Sequence, residues 1–382
     1  MSHRNRCADE PSENCWRVAP KRRPDPARFP AGSRPILDRV NAIPTLRLQD
    51  ARRSDGTLDP DFLERLRVAA HQIGFFHLTD YGAGPGQVQE LVDVTARFFA
   101  LPPEARIALD NRTSPHFRGY TRLGHEITAG RPDAREQLDF GPELPAVAAA
   151  DWDTPYRLLQ GPNQWPDELL PELRPTVQAW TDLLTVVGTE LTHALAACLG
   201  LPEQHFDEAF GDQPHWFGKL IRYVGQETDG PAAQGVGPHA DWGFLTLLLQ
   251  DSVGGLQARP PREQEWIDVA PVEGALVVNV GEMLEVATHG YLVATVHRVL
   301  PCRPSDTRQS IGFFFSPRLE AKLHPVPLTP ELAAHAPGVT QAAENPLLPT
   351  FGDNALKGWI RSHPEVAARH HPGLAAPARS FT

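Results

Sequence analysis

The stretch Gly237-Pro-His-Ala-Asp-Trp-Gly-Phe-Leu-Thr246 decides how this chain is read. His239 and Asp241 stand two residues apart, and side chains alternate along an extended strand, so both point to the same side. A third donor, His297, comes 56 residues after Asp241. It lies in Tyr291-Leu-Val-Ala-Thr-Val-His-Arg-Val-Leu300, a run rich in β-branched residues that reads as one strand with His297 near its end. Two imidazoles and one carboxylate can occupy one face of an octahedral metal and leave the opposite face open. An open face allows chemistry at the metal.

Arg308-Gln-Ser310 begins 11 residues after His297 and repeats the two-residue spacing on a further strand, Gln309–Ser316. A guanidinium fork beside a hydroxyl matches a carboxylate. Continued alternation puts Gly312 and Phe314 on the same face, where the glycine leaves room and the phenylalanine supplies an apolar wall. The result is a pocket for a small diacid. Taken singly, each feature is common: HxD and RxS arise often by chance, and a histidine in a strand is usually an ordinary core or surface residue. The order HxD, His, RxS in strand-like text is what makes the combination specific.

On these residues the stretch from about Phe217 to Arg318 resembles the isopenicillin N synthase-like family of Fe(II)/2-oxoglutarate-dependent oxygenases, in its bacterial form. The matching text includes Leu220-Ile-Arg-Tyr223, Gly254-Gly-Leu-Gln257, Asn279-Val-Gly-Glu282 and His297-Arg-Val299. Upstream, Gly74-Phe-Phe-His77, Phe117-Arg-Gly-Tyr120 and Arg135-Glu-Gln-Leu-Asp139 resemble the family's cap region. The likeness covers roughly residues 43 to 370. It implies that His239, Asp241 and His297 bind Fe(II), that Arg308 and Ser310 hold the distal carboxylate of 2-oxoglutarate, and that O2 is the oxidant. It also implies that Tyr223 hydrogen-bonds that carboxylate and that Leu256 and Phe314 line the co-substrate pocket. Two departures matter. Many plant members carry Asn two residues before the tyrosine, where Ile221 stands here. Related halogenases replace the acidic ligand with a small residue, so Asp241 argues against halogenation.

The rest of the text fits a large α+β enzyme. From Leu220 to Ser316, short β-branched runs alternate with turns, as in an antiparallel double-sheet jelly roll (double-stranded β-helix), which can gather three ligands at one mouth. Around it we expect flanking helices and an N-terminal helical and strand cap. The expected divisions are a disordered tail over 1–42, the cap over 43–160, backing helices over 173–212, the core over 213–318 and a C-terminal extension over 319–382. Helices are predicted over Asp59–Ala70, Gln87–Leu101 and Leu173–Leu199, the last closing at Gly200. Strands are predicted over Ile43–Leu48 and Gly74–Asp80. The proline-rich segment 141–172 reads as a loop that covers an active site. Thr350–Trp359 resembles the family's terminal helix.

With 382 residues and 41% hydrophobic content the chain can bury a sizeable core. A formal charge of -11 disfavours nucleic acid and anionic membranes as partners, and a small molecule fits better. Cys7, Cys15, Cys198 and Cys302 suit neither a zinc site nor a disulfide framework, which points to a reducing cytoplasm. No run of eighteen apolar residues occurs. The Arg-rich start contains Asp9, Glu10, Glu13 and Asp25, unlike a transit segment.

The expected activity is oxidation of a C–H bond in a small molecule, by hydroxylation, desaturation or ring closure, with formation of succinate and CO2. The resemblance implies a setting in secondary metabolism. Two other enzyme readings keep the same residues: a 2-oxoglutarate-independent oxidase like isopenicillin N synthase, and an ethylene-forming enzyme. A non-catalytic metal-binding sensor is a third. An intact ligand set beside an intact carboxylate clamp argues against the sensor, and the lack of HExxH argues against a zinc hydrolase. Arg118, Tyr120, Arg135 and Glu136 are candidate substrate contacts from the cap, each equally readable as structural. His116, His125 and His215 read as ordinary histidines.

Overall fold

The computed structural model describes residues 43–374 except 148–152, 226–233, 262, 264, 305, 323 and 340–345. The tail expected over 1–42 lies outside the described residues. Fourteen strands are described: β1 Thr45–Arg47, β2 Phe75–Thr79, β3 Gly119–Thr121, β4 Ile127–Thr128, β5 Arg131–Pro132, β6 Arg135–Phe140 and β7 His215–Val224, then β8 Val236–His239, β9 Leu245–Gln250, β10 Leu256–Arg259, β11 Ile267–Asp268, β12 Leu276–Val280, β13 Val296–Val299 and β14 Thr307–Ser316. Eight form one sheet in the order β1-β2-β12-β9-β14-β7-β6-β3, and four form a second in the order β11-β10-β13-β8. Apart from the parallel pair β1–β2, all pairings are antiparallel. The two sheets are the layers of the jelly roll. Phe75 on the large sheet meets His297 on the small one edge-on, with centroids 5.3 Å apart.

Residues opposite one another in an antiparallel sheet share a face. The register therefore gives the large sheet two unlike faces. One carries Leu220, Leu247, Leu249, Ile311, Phe313 and Phe315, all buried. The helix Leu173–Cys198 covers it, burying Leu173, Val177, Trp180, Leu184, Val187, Leu191 and Leu195 at three- and four-residue intervals. Each such side chain contributes roughly 1.5–3 kcal/mol on burial. Gly188 lets the helix approach closely, since a Cβ there would meet Phe315 Cδ1 at 2.7 Å. The opposite face carries Arg308, Ser310, Gly312 and Phe314 and looks into the roll.

Most of the expected elements form. The helix Pro60–Gln72 starts at Asp59, whose carboxylate accepts from the amides of Asp61 and Phe62, with Pro60 in the first turn. The second cap helix runs Pro85–Ala100, and the long helix ends before Gly200 at φ +77°. A terminal helix spans Phe351–Ser362. The expectation for 291–300 needs correction, because only Val296–Val299 is strand. The amides of Leu292 and Val293 donate instead to Thr288 Oγ1 and the Ala70 carbonyl, so this β-branched run is held by other partners. Segment 141–172 is not loop throughout. Pro155–Leu159 makes a 3-10 turn that buries Tyr156, Leu158 and Leu159.

Candidate metal centre and carboxylate clamp

β8 and β13 pair with His239 directly opposite His297, which brings the rings to 4.3 Å between centroids. β8 ends at His239, so Asp241 lies just beyond the strand rather than within it. Its Oδ1 is 3.6 Å from His239 Nε2 and 3.8 Å from His297 Nε2. All three ligand-type atoms lie within 4.8 Å of one another, and they form the one such group among the described residues.

The surroundings orient each donor. His239 Nδ1 is 2.8 Å from the Gly237 carbonyl and His297 Nδ1 is 3.0 Å from that of Thr295. With Nδ1–H donating there, Nε2 keeps its lone pair free for a metal. Asp241 Oδ2 accepts from Thr246 Oγ1 at 2.5 Å and Asn279 Nδ2 at 2.8 Å, which leaves Oδ1 facing the imidazoles. Burial, aided by the facing His297, pushes the His239 imidazole down to about 4, so it is neutral and able to ligate. Burial alone would raise the Asp241 carboxyl. The two imidazoles, Asn279 and Thr246 together hold it below its ordinary value. A neutral, directed pair of nitrogens beside an ionised oxygen fits a divalent metal.

Arg308 stands opposite Tyr223 across β14 and β7, and its guanidinium lies 4.7 Å from the tyrosine ring centroid. It is 1% exposed. Nη1 donates to Ser310 Oγ at 3.3 Å and Nη2 to Gln250 Oε1 at 3.1 Å, while Nε has no partner. Among the described residues no carboxylate lies within ion-pair distance of it. A buried cation without a countercharge is costly, and a ligand carboxylate would supply the missing partner. The donor set therefore fits 2-oxoglutarate. Leu256, buried on β10, lies two residues from Ala258, the neighbour of His297, and so shares its face. The Phe314 ring stacks on Phe217 at 4.2 Å, and Phe217 stacks in turn on Trp242 at 5.1 Å.

The cap residues divide. Arg135 pairs with Glu126 at 3.0 Å and Asp133 at 3.2 Å on the inner face. Tyr120 and Glu136 point the other way, into a cluster with Arg106 and Arg222. His116 meets the Leu158 carbonyl at 2.7 Å, and His125 lies 3.3 Å from Glu365. Sequence reasoning assigned no role to Thr246, Asn279 or Gln250. The available signal was a polar residue inside an apolar strand, as Asn279 is within Leu276–Val280. It also missed Lys219, which reaches Asp139 at 2.7 Å and Glu126 at 3.2 Å beside the Trp359 ring.

Residues 43–168 match the family described as non-haem dioxygenase in morphine synthesis N-terminal. Residues 219–317 match the 2OG-Fe(II) oxygenase superfamily. A 2-oxoglutarate-dependent dioxygenase, frbJ, of Dothideomycetidae sp. is 33% identical over 89% of this chain and 95% of its own length. A homoarginine-6-hydroxylase of Glycine max is 32% identical over 70% of this chain and 82% of its own. Among solved structures, a 2OG-Fe(II) oxygenase family protein from Caulobacter crescentus superposes with TM-score 0.64 at 26% identity, covering 83% of this chain and 98% of that one. The chain belongs to the 2OG-Fe(II) oxygenase superfamily. Within that class it is a 2-oxoglutarate-dependent dioxygenase, an oxidoreductase that uses Fe(II), 2-oxoglutarate and O2 on a small molecule.

Proposed function

We propose that His239, Asp241 and His297 hold Fe(II), and that Arg308 and Ser310 grip the distal carboxylate of 2-oxoglutarate, with Leu256 and Phe314 as apolar walls. The observation that carries the clamp is the buried Arg308 guanidinium with no carboxylate partner among the described residues. Tyr223, whose ring centroid lies 4.7 Å from the Arg308 guanidinium, hydrogen-bonds the same carboxylate on this reading. When bound, the iron supplies O2 activation coupled to decarboxylation of the co-substrate. The protein's share is orientation. Gly237 and Thr295 carbonyls fix the imidazoles, and Thr246 and Asn279 fix the carboxylate.

The text from Phe217 to Arg318 supports the isopenicillin N synthase-like branch in its bacterial form. On this reading residues 43–160 are the cap, 173–212 the backing helices, 213–318 the core and 319–382 the extension. The outcome on substrate is hydroxylation, desaturation or ring closure, and the hydroxylase relative supports the first. Charge of -11 supports a small-molecule partner over nucleic acid, and no single described helix is long and apolar enough to cross a membrane. Sparse cysteines support a cytoplasmic setting. The test is anaerobic reconstitution with Fe(II) and 2-oxoglutarate, then a metabolite screen for succinate release on adding O2. His239→Ala, Asp241→Ala and His297→Ala should each abolish release while far-UV circular dichroism stays native. Wild-type rates in any one of them would remove that residue from the ligand set.

A further inference from the structure

Register on the inner face of the large sheet gives rows that cross the strands. One row runs Asn279, Thr246, Phe314, Phe217. Phe140 pairs with Gly218, so the next residue, Gly141, continues the row beside Phe217. The row thus begins at the two groups that hold Asp241 and ends at Gly141. Against Gly141 lies the Arg118 guanidinium: a Cβ there would meet Nη2 at 2.3 Å and Cζ at 2.6 Å. Arg118 is 2% exposed, and its Nη2 donates to the Leu159 carbonyl at 3.1 Å. Its Nε has no partner, and among the described residues no carboxylate lies within ion-pair distance.

Two more buried polar atoms without partners lie on the same face, two residues further along β7 and β14 from Phe217 and Phe314. His215 and Ser316 face each other across β7 and β14, and His215 Nε2 and Ser316 Oγ are both unpartnered. Burial, with the nearby Arg118 charge, pushes His215 down to about 3, so its ring is neutral. A Cβ on Gly243, two residues after Asp241, would meet Ser316 Oγ at 2.7 Å, so this corner abuts the loop that carries the metal-facing carboxylate. Of the other described buried cations on this face, Lys219 and Arg135 are already paired with acids, and Arg308 belongs to the clamp.

We propose that Arg118, His215 and Ser316 form a second anion subsite, and that the oxidised substrate is a small organic carboxylate anchored there. The proposal rests on the reading of the triad and clamp given above. Arg308 and Ser316 are eight residues apart on one strand, on the order of 27 Å, so one ligand carboxylate cannot serve both ends. Across the row, three inter-strand steps of roughly 14 Å in all separate Thr246 from Gly141, and the stacked Phe314 and Phe217 fill that interval. A ligand held by its carboxylate at Arg118 therefore needs an apolar body of several carbons to reach the triad over that aromatic pair.

The test uses full-length protein, anaerobic, with Fe(II) and saturating 2-oxoglutarate so that Arg308 is occupied. Radiolabelled acetate, hexanoate and phenylacetate are measured by equilibrium dialysis, with phenylacetamide as the uncharged competitor. Hexanoate or phenylacetate should bind saturably, and phenylacetamide at least ten-fold more weakly than phenylacetate. Arg118→Gln should weaken the carboxylate ten-fold or more and leave the 2-oxoglutarate titration unchanged, whereas Arg308→Gln should do the reverse. If Arg118→Gln does not fold, Ser316→Ala should still weaken the carboxylate about three-fold. No saturable carboxylate binding, equal binding of the amide, or unchanged affinity in the variant that folds would overturn the subsite. Failure of the wild type to bind 2-oxoglutarate would instead overturn the clamp, a separable result.

Discussion

Replacing Arg308 by methionine should separate ligand binding from folding, because the side chain serves the two in opposite senses. In the free protein the guanidinium is 1% exposed, and its acceptors are two neutral oxygens, on Ser310 and Gln250, with an aromatic face beneath. A buried cation with only neutral partners is no asset to the fold, and an apolar side chain of similar volume is often neutral or stabilising by about 1–4 kcal/mol. With co-substrate bound, the same guanidinium faces a carboxylate, and truncating it leaves that carboxylate desolvated and unpaired at a cost of about 2–5 kcal/mol. At about 1.4 kcal/mol per decade, 2-oxoglutarate affinity should fall by roughly 30-fold or more. Two measurements check this. An anaerobic titration following the metal-to-ligand charge-transfer absorbance reports affinity, and urea unfolding of the ligand-free protein reports stability. Arg308→Lys should recover only part of the affinity, since an ammonium keeps the charge but not the planar fork. Unchanged affinity in Arg308→Met would refute the clamp, and a large loss of ligand-free stability would refute the argument from missing countercharge.

Asn279→Ala and Thr246→Val remove the donors to Asp241 Oδ2, and each should lower metal affinity about 10–100-fold in chelator competition without changing the ligands themselves. Lys219→Met strips Asp139 of the cation at 2.7 Å while both sites remain buried, so urea unfolding should show a loss of about 3–5 kcal/mol. A loss under about 1 kcal/mol would mean that Thr121 and Gln137 suffice to hold the carboxylate. Burial pushes the Glu285 carboxyl up to about 7. The folded chain then holds this proton more tightly than the unfolded one, so its contribution is complete below the ordinary carboxylate range and disappears as pH rises through about 7. Glu285→Gln should flatten the stability profile across that window by at most about 3 kcal/mol, and an identical profile in the variant would assign the slope to other groups.

The chain's own text settles which residue types are available and, where periodicity is strong, which way they point. The two-residue spacing of Arg308 and Ser310 sets both donors on one face before any fold is known, because alternation is a local property of extended backbone, whereas Asp241 lies beyond the end of β8 and meets His239 without it. The helix Pro60–Gln72 and the close of the long helix at Gly200 are legible for the same reason: a cap or a left-handed residue acts within one turn. Pairing is another matter. That His239 stands opposite His297, that Thr246 and Asn279 clasp Asp241, and that Tyr291–Thr295 stays out of the sheet all depend on contacts between segments distant in sequence. Arg118 shows the limit most clearly. Its sequence neighbours give no sign that it lies against Gly141, buried without a carboxylate partner among the described residues, because countercharge and burial are properties of what the fold brings near. Residue type and spacing nominated the donors; long-range register decided which of them meet, and which charges are left for a ligand to complete.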